Sequence, residues 1–158
     1  MTVALVGGIA LSTLAGARRT ASTFGAYERN VRLSDLAVNT FEPDLKRVDA
    51  IARAPGVKTS ATYVGLNAYP VIHGRVVRDF RYTGFFGSLD GRFFTQDRAV
   101  AVSGRLPGLS ATDEIALTPD LGTRLGVSGG DEIDCRFADA HSRPLGDSRY
   151  RVVGIVRL

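Results

Sequence analysis

Residues 104–133 read GRLPGLSATDEIALTPDLGTRLGVSGGDEI, and the order of signals in this stretch decides the fold. Asp113 and Glu114 precede a short apolar strand, Ile115 to Leu117. Thr118 then stands where a helix N-cap belongs, and Pro119 takes the first helical position, where its missing N–H costs nothing. Leu121 and Leu125 share one helical face, and Gly126 suits the left-handed residue that ends a helix. Gly129, Gly130 and Asp131 make a tight turn into a second strand, Glu132 to Phe137. The spacing predicts a strand, helix, strand unit in which Gly104, Pro119, Gly126, Gly130 and Asp131 have structural roles. No catalytic motif falls within it.

Outside this unit, the chain of 158 residues has room for one domain or two small subdomains with a modest core. With 44% hydrophobic and 23% charged residues it belongs with folded proteins rather than disordered ones, and 18 glycines predict many turns and short strands. The formal charge is +4, but the twenty basic residues, all arginine except Lys46 and Lys58, are spread among sixteen acids. Without a basic stripe or an aromatic platform motif, nucleic acid is not an expected partner. Cys135 is the only cysteine, which excludes an intramolecular disulfide and a cysteine zinc site within one chain. Set between Ile133 and Phe137, it reads as a small core residue.

Residues 3–17, VALVGGIALSTLAGA, form an apolar run without a charge. As a helix these fifteen residues reach about 22 Å, short of the roughly 30 Å hydrocarbon core. Three readings stand: the truncated end of a transmembrane helix, a signal peptide with Ala15-Gly16-Ala17 at its cleavage site, or a buried core helix. Beyond Arg18 and Arg19, the residues Ala21, Phe24, Tyr27 and Val31 recur at helical spacing, which predicts an amphipathic stalk over 20–33.

Further on, Leu36 to Thr40 reads as a strand. Glu42 and Pro43 read as the start of a helix with Asp44 in its first turn, Leu45, Val48, Ile51 and Ala52 on its apolar face, and Pro55-Gly56 at its end. Strands are predicted over Val57 to Leu66, Val71 to Val77 and Phe80 to Phe86, with a turn at Asn67 to Pro70. Two readings compete for the aromatic residues between Gly84 and Phe94, core residues or anchors for a partner beside a glycine-rich turn, with the core expected; a last strand runs from Tyr150 to Val156 with Gly154 marking a bulge or bend. The predicted class is α+β: mixed sheets of short strands, a long N-terminal stalk helix and two shorter helices.

Reaction chemistry finds little to stand on. There is no phosphate loop, nucleophile elbow, HExxH or dinucleotide fingerprint. Asp113-Glu114 and Asp131-Glu132 are adjacent pairs whose side chains diverge in a strand, and each lies beside a turn. His73 reads as a strand residue and His141 as a loop residue. No catalytic residue, metal ligand or cofactor-binding residue is assigned, and no cofactor is expected.

Taken together, these segments resemble the extracytoplasmic core domain of FtsX/MacB-like ABC transporter permeases. The resemblance rests on AGARRT at Ala15 to Thr20, GRLP at Gly104 to Pro107, DEIALTP at Asp113 to Pro119, LGV at Leu125 to Val127, GDEI at Gly130 to Ile133 and YRVVGIV at Tyr150 to Val156. It implies that residues 1–18 are the truncated end of a first transmembrane helix and 19–158 an extracytoplasmic domain. Within that domain it implies a stalk helix over 20–33, a first subdomain of about 34–98 plus the C-terminal strand, and a second of about 99–148. It also implies a non-catalytic mechanotransmission role at the cell membrane. The partners it implies are a separate ABC ATPase subunit, a second permease copy or paralogue, and an extracytoplasmic substrate or partner protein, with membrane attachment through flanking helices. Two alternatives remain open: an exported soluble binding protein, and a small hydrolase or isomerase using acids near the glycine-rich turns.

Overall fold

The computed structural model describes residues 2–40, 44–79 and 84–158, with residues 2–15 and 21 described through their backbone alone. The helix start expected at Glu42 and Pro43, the first part of the strand expected from Phe80, and the Ala21 side chain lie outside the described residues. A single helix, α1, covers Thr2–Val31. Among the described residues no helix is long and apolar enough to cross a membrane. On the amphipathic face, Val31 is buried at 4% exposure while Phe24 and Tyr27 are exposed, so the helix packs through its last turn.

Two expectations fail in the segment that follows. Residues 36–40 form no strand. Leu36 and Val38 are exposed, and β-propensity without a partner strand or a surface to cover does not hold an extended chain in a ladder. Helix α2 covers Leu45–Ala52, so Asp44 stands before it and not within it. Asp44 is its N-cap rather than a first-turn residue, with Oδ1 accepting from the N–H groups of Lys46 (3.0 Å) and Arg47 (3.2 Å). No residue of α2 is buried, so its apolar face stays open.

Seven strands make one sheet: β1 (Tyr63–Ile72), β2 (Arg75–Val76), β3 (Phe85–Ser88), β4 (Val100–Gly104), β5 (Glu114–Leu117), β6 (Glu132–Ala138) and β7 (Pro144–Arg157). The order is β2-β1-β6-β7-β4, with β3 on β1 and β5 on β7. Every pairing is antiparallel except β5 with β7. Mixed α+β architecture is therefore present, and the sheet joins strands from both halves of the chain through β1 and β6.

β1 departs from its expected limits. Residues 57–62 are not strand, and Asn67 to Pro70, expected as a turn, run through the middle of β1. Each of these four residues is in register with β6, from Asn67 opposite Ala138 to Pro70 opposite Cys135. Proline sits there because the ladder uses its carbonyl, which accepts from the Val77 N–H at 2.9 Å. The chain reverses instead at His73 and Gly74, both with positive φ (49° and 74°), as a two-residue hairpin requires. His73 is thus a turn residue and not a strand residue.

β6 and β7 form the longest ladder. Register partners Glu132 and Arg151, Asp134 and Arg149, and Arg136 and Asp147 place acid against base on one face. Ile133 opposite Tyr150 and Cys135 opposite Ser148 turn to the other face. This ladder carries β7 back to Pro144, six residues before the start read from its apolar run. The core is the inner face: Leu117, Ile133, Cys135 and Val152 are buried, with Phe85, Phe137, Tyr150 and Ile155 packed against them. Helix α3, Pro119–Leu125, closes over β7. Gly122 lets it approach, since a Cβ there would lie 3.2 Å from Ile155 Cδ1.

Candidate functional site

The turn and cap residues of the 104–133 stretch occupy the positions their chemistry suits. Pro119 is at the start of α3, and Gly126 ends it at φ 65° with its N–H directed to the carbonyls of Gly122 and Thr123. Thr118 has the extended N-cap backbone but makes no side-chain cap bond. Gly130 turns at φ 101° and donates to Val152 O at 2.7 Å, and Asp131 Oδ2 accepts from Ser128 N–H at 2.7 Å. Gly104, at φ 68°, lies against the backbone of Val153 and Gly154.

The acids of this region are held by arginines. Glu114, 8% exposed at its side chain, meets Arg105 through both oxygens (Nη1 to Oε2, 2.7 Å). It also accepts from Gly108 N–H at 3.0 Å and from Arg151 at 3.1 Å. The Arg105 guanidinium, reinforced by Gly108 N–H, holds the Glu114 carboxyl at about 2. The pair closes the 105–113 loop onto the start of β5, and the Arg151 contact ties that carboxylate to β7. Asp113 contributes its carbonyl, which accepts from Arg151 N–H at 2.8 Å. These acids thus make loop contacts and are not gathered around a common space. One open concavity, beside α2, is lined by Lys46, Asp49, Thr62 and Asp90; another lies under α3 around Ser103 and Gly122. Neither is lined by a histidine, Cys135, Asp113 or Asp131. Among the described residues no three His, Cys, Asp or Glu side chains gather as metal ligands. His141 lies in the β6–β7 turn and donates its N–H to Asp139 Oδ1 at 2.9 Å. Cys135 is in the core, and burial pushes its thiol up to about 11.

A second polar construction lies where α1 meets the 92–98 turn. Arg98 N–H donates to Val31 O at 2.8 Å, and Asp97 N–H to Arg32 O at 3.1 Å. In return Asp97 Oδ1 accepts from Ser34 N–H at 2.7 Å, and Oδ2 from Ser34 Oγ at 2.8 Å. Arg92 reaches the same Oδ2 at 2.7 Å, and both side chains of the pair are about 15% exposed (15% and 14%). The Arg92 guanidinium stacks over Tyr63 at 4.7 Å, and Tyr63 packs edge-on against Phe93 at 5.7 Å. Arg32, Phe93 and Asp97 all have positive φ (52°, 70° and 46°), a backbone strain that surrounding contacts must hold in place. Two residues beyond Arg98, Val100 is the register partner of Arg157. The end of the helix and the end of β7 are therefore fastened to one short segment, 97–100.

Sequence reading assigned no role to Ser34, Arg92 or Asp97. The bonds from Ser34 to Asp97 span 63 residues, and Asp97 sits in a polar turn without periodicity. Of the aromatic residues expected in the core, Phe85 alone packs against it, with Phe137 and Tyr150 at 5.5 and 5.4 Å, while Phe93 and the 50% exposed Phe86 pack on Tyr63.

A scan against protein-family models and a search of curated proteins return no match to this chain.

Proposed function

We propose that this chain is the extracytoplasmic domain of an FtsX/MacB-like ABC transporter permease, a non-catalytic part that converts movement of membrane helices into movement outside the membrane. The observation that carries the reading is the junction at 97–100. There the helix expected as a stalk and the strand expected to lead back toward the membrane are tied within a few residues, through the Arg98 to Val31 hydrogen bond and the pairing of Val100 with Arg157. The motifs at 15–20, 104–107, 113–119, 125–127, 130–133 and 150–156 support the same reading through their resemblance to that family.

In this reading residues 1–18 belong to a first transmembrane helix and 20–33 to the stalk. Residues 34–98 with the C-terminal strand, and 99–148, are the two parts of the domain. ATP hydrolysis lies on a separate cytoplasmic subunit, a second permease copy or paralogue completes the pair, and the exposed surface meets an extracytoplasmic substrate or partner. This chain's own residues transmit motion. Val31 seats the helix end, Asp97 joins Ser34 to Arg92, and β4 passes the displacement to β7.

The test is topological, carried out on the natural protein in its own membrane. Ser110 is exposed in the 105–113 loop, and the buried Cys135 is a silent background. Ser110→Cys is expected to react with a membrane-impermeant maleimide on intact cells, to remain with the membrane after a carbonate wash, and to co-purify with an ATPase subunit. Labelling only after lysis overturns the proposal. Labelling with release by carbonate points instead to the exported soluble binding protein.

A further inference from the structure

We infer that the free edge of β4 binds an extended, acid-flanked segment of a partner protein by adding it to the sheet as a further strand. β4 ends the strand order, pairs with β7 alone, and is exposed at all five residues. The other strands that pair on one side alone are shorter and less exposed: β2 has two residues, and β3 and β5 have four each, with Phe86 their one exposed residue. Val100 and Val102 are 49% and 52% exposed, so a strand laid here covers apolar surface as well as completing hydrogen bonds.

A bulge sharpens the site. Ala101 and Ser103 pair with consecutive residues of β7, Val156 and Ile155, which leaves Val102 as the extra residue outside that ladder. Bulges at an edge discourage indiscriminate sheet growth, and this one limits the match to a short segment in one register.

The charge around β4 selects the occupant. Arg98 precedes the strand and Arg157 is paired beside Val100; both are exposed, and neither has a carboxylate partner among the described residues. Four other arginines are matched by acids, Arg92 by Asp97, Arg105 by Glu114, Arg136 by Asp147 and Arg149 by Asp134, so the charge left for a partner beside β4 is that of Arg98 and Arg157. Of the acids on the adjoining stretch, Asp97 is committed to Arg92 and Ser34, which leaves the strand's entrance basic. A partner with carboxylates flanking an alternating apolar core satisfies both arginines and both valines, whereas a second copy of β4, whose residues 98–104 contain no carboxylate, offers neither arginine a counter-charge. The inference names the class of partner for the proposed extracytoplasmic domain and rests on that reading for its setting alone. Binding to the chain is measured without a membrane, so it fails independently of the topology experiment.

The experiment measures polarisation of a fluorescein-labelled peptide, Glu-Glu-Val-Thr-Val-Thr-Val-Glu-Glu, on the whole 158-residue chain. Binding is expected to weaken with salt, to be lost when lysines replace the glutamates, and to be lost when alternate amides are N-methylated. Amide exchange at 100–104 is expected to slow when the peptide binds. Arg98→Glu with Arg157→Glu is expected to weaken binding about tenfold or more, and Arg75→Glu on the opposite edge to leave it unchanged, circular dichroism confirming that each variant folds. Equal binding of the lysine peptide, insensitivity to N-methylation, wild-type affinity in the double variant, or a chain dimer that the peptide does not displace would each overturn the inference.

Discussion

Gly104 and Gly154 face each other across β4 and β7, and neither position has space for a side-chain carbon. A Cβ on Gly154 would fall against Arg105 O and lie 2.9 Å from both Arg105 N and Ser103 O; one on Gly104 would fall against Val153 O. Gly154→Ala is expected to destabilise the chain by about 3–4 kcal/mol in urea unfolding, since backbone rather than a mobile side chain must move. Gly104→Ala adds a left-handed φ to the same crowding. Gly129→Ala, with nothing within 4 Å of the added carbon, is expected to stay within about 0.5 kcal/mol of the natural chain.

Asp97 carries two independent duties, and two substitutions separate them. Asp97→Asn keeps a residue tolerant of the left-handed φ while removing the charge that Arg92 faces, and Asp97→Ala removes both. The asparagine variant is expected to lose about 1 kcal/mol and the alanine variant about 2–3 kcal/mol. Hydrogen exchange is expected to quicken at 31–36 and 92–98 before it does so in β6. Uniform acceleration over the whole sheet would sink the idea of a local fastening.

Glu114 makes part of the stability depend on acid. Its carboxyl is held at about 2 by Arg105 against an ordinary value of 4.5, so between these values the unfolded chain binds the extra proton. Its contribution is present above pH 4.5 and is lost as pH falls toward 2. Glu114→Gln is expected to flatten the unfolding free energy over that window relative to the natural chain. Part of the slope is expected to persist, because Asp134, Asp139 and Asp147 are also held low by Arg149, Arg143 and Arg136.

Cys135 reports on global opening. It is buried between Ile133 and Phe137 in the core, and its thiol is pushed up to about 11. An aromatic disulfide reagent at pH 8 is expected to leave the native thiol unmodified and to react within the dead time of mixing once urea unfolds the chain. Rapid reaction in native buffer would contradict the packing of β6.

The 104–133 unit was legible because its information is local: Pro119, Gly126 and Gly130 each act through their own backbone geometry. β1 was misjudged because its partner is remote. Asn67 to Pro70 look like a turn until Arg136 and Cys135, about 65 residues on, supply the opposing ladder. The first six residues of β7 were missed for a related reason, since Asp147 and Arg149 belong in a strand only when Arg136 and Asp134 stand opposite. The fastening at Asp97 was out of reach because it joins two polar loops through hydrogen bonds, which leave no hydrophobic period to read.

The bonds at 97–100 also have a consequence for the proposed transmission of movement. Helix α1 is held at Val31 and Arg32, β7 is held at Arg157, and Ala99 is the residue between the two attachments. In the proposed role, a tilt of the helix would be delivered beside the last strand with almost no slack, so that the sheet would turn as a body and its ladders would not be sheared open. In that role the domain would work as a crank rather than a spring.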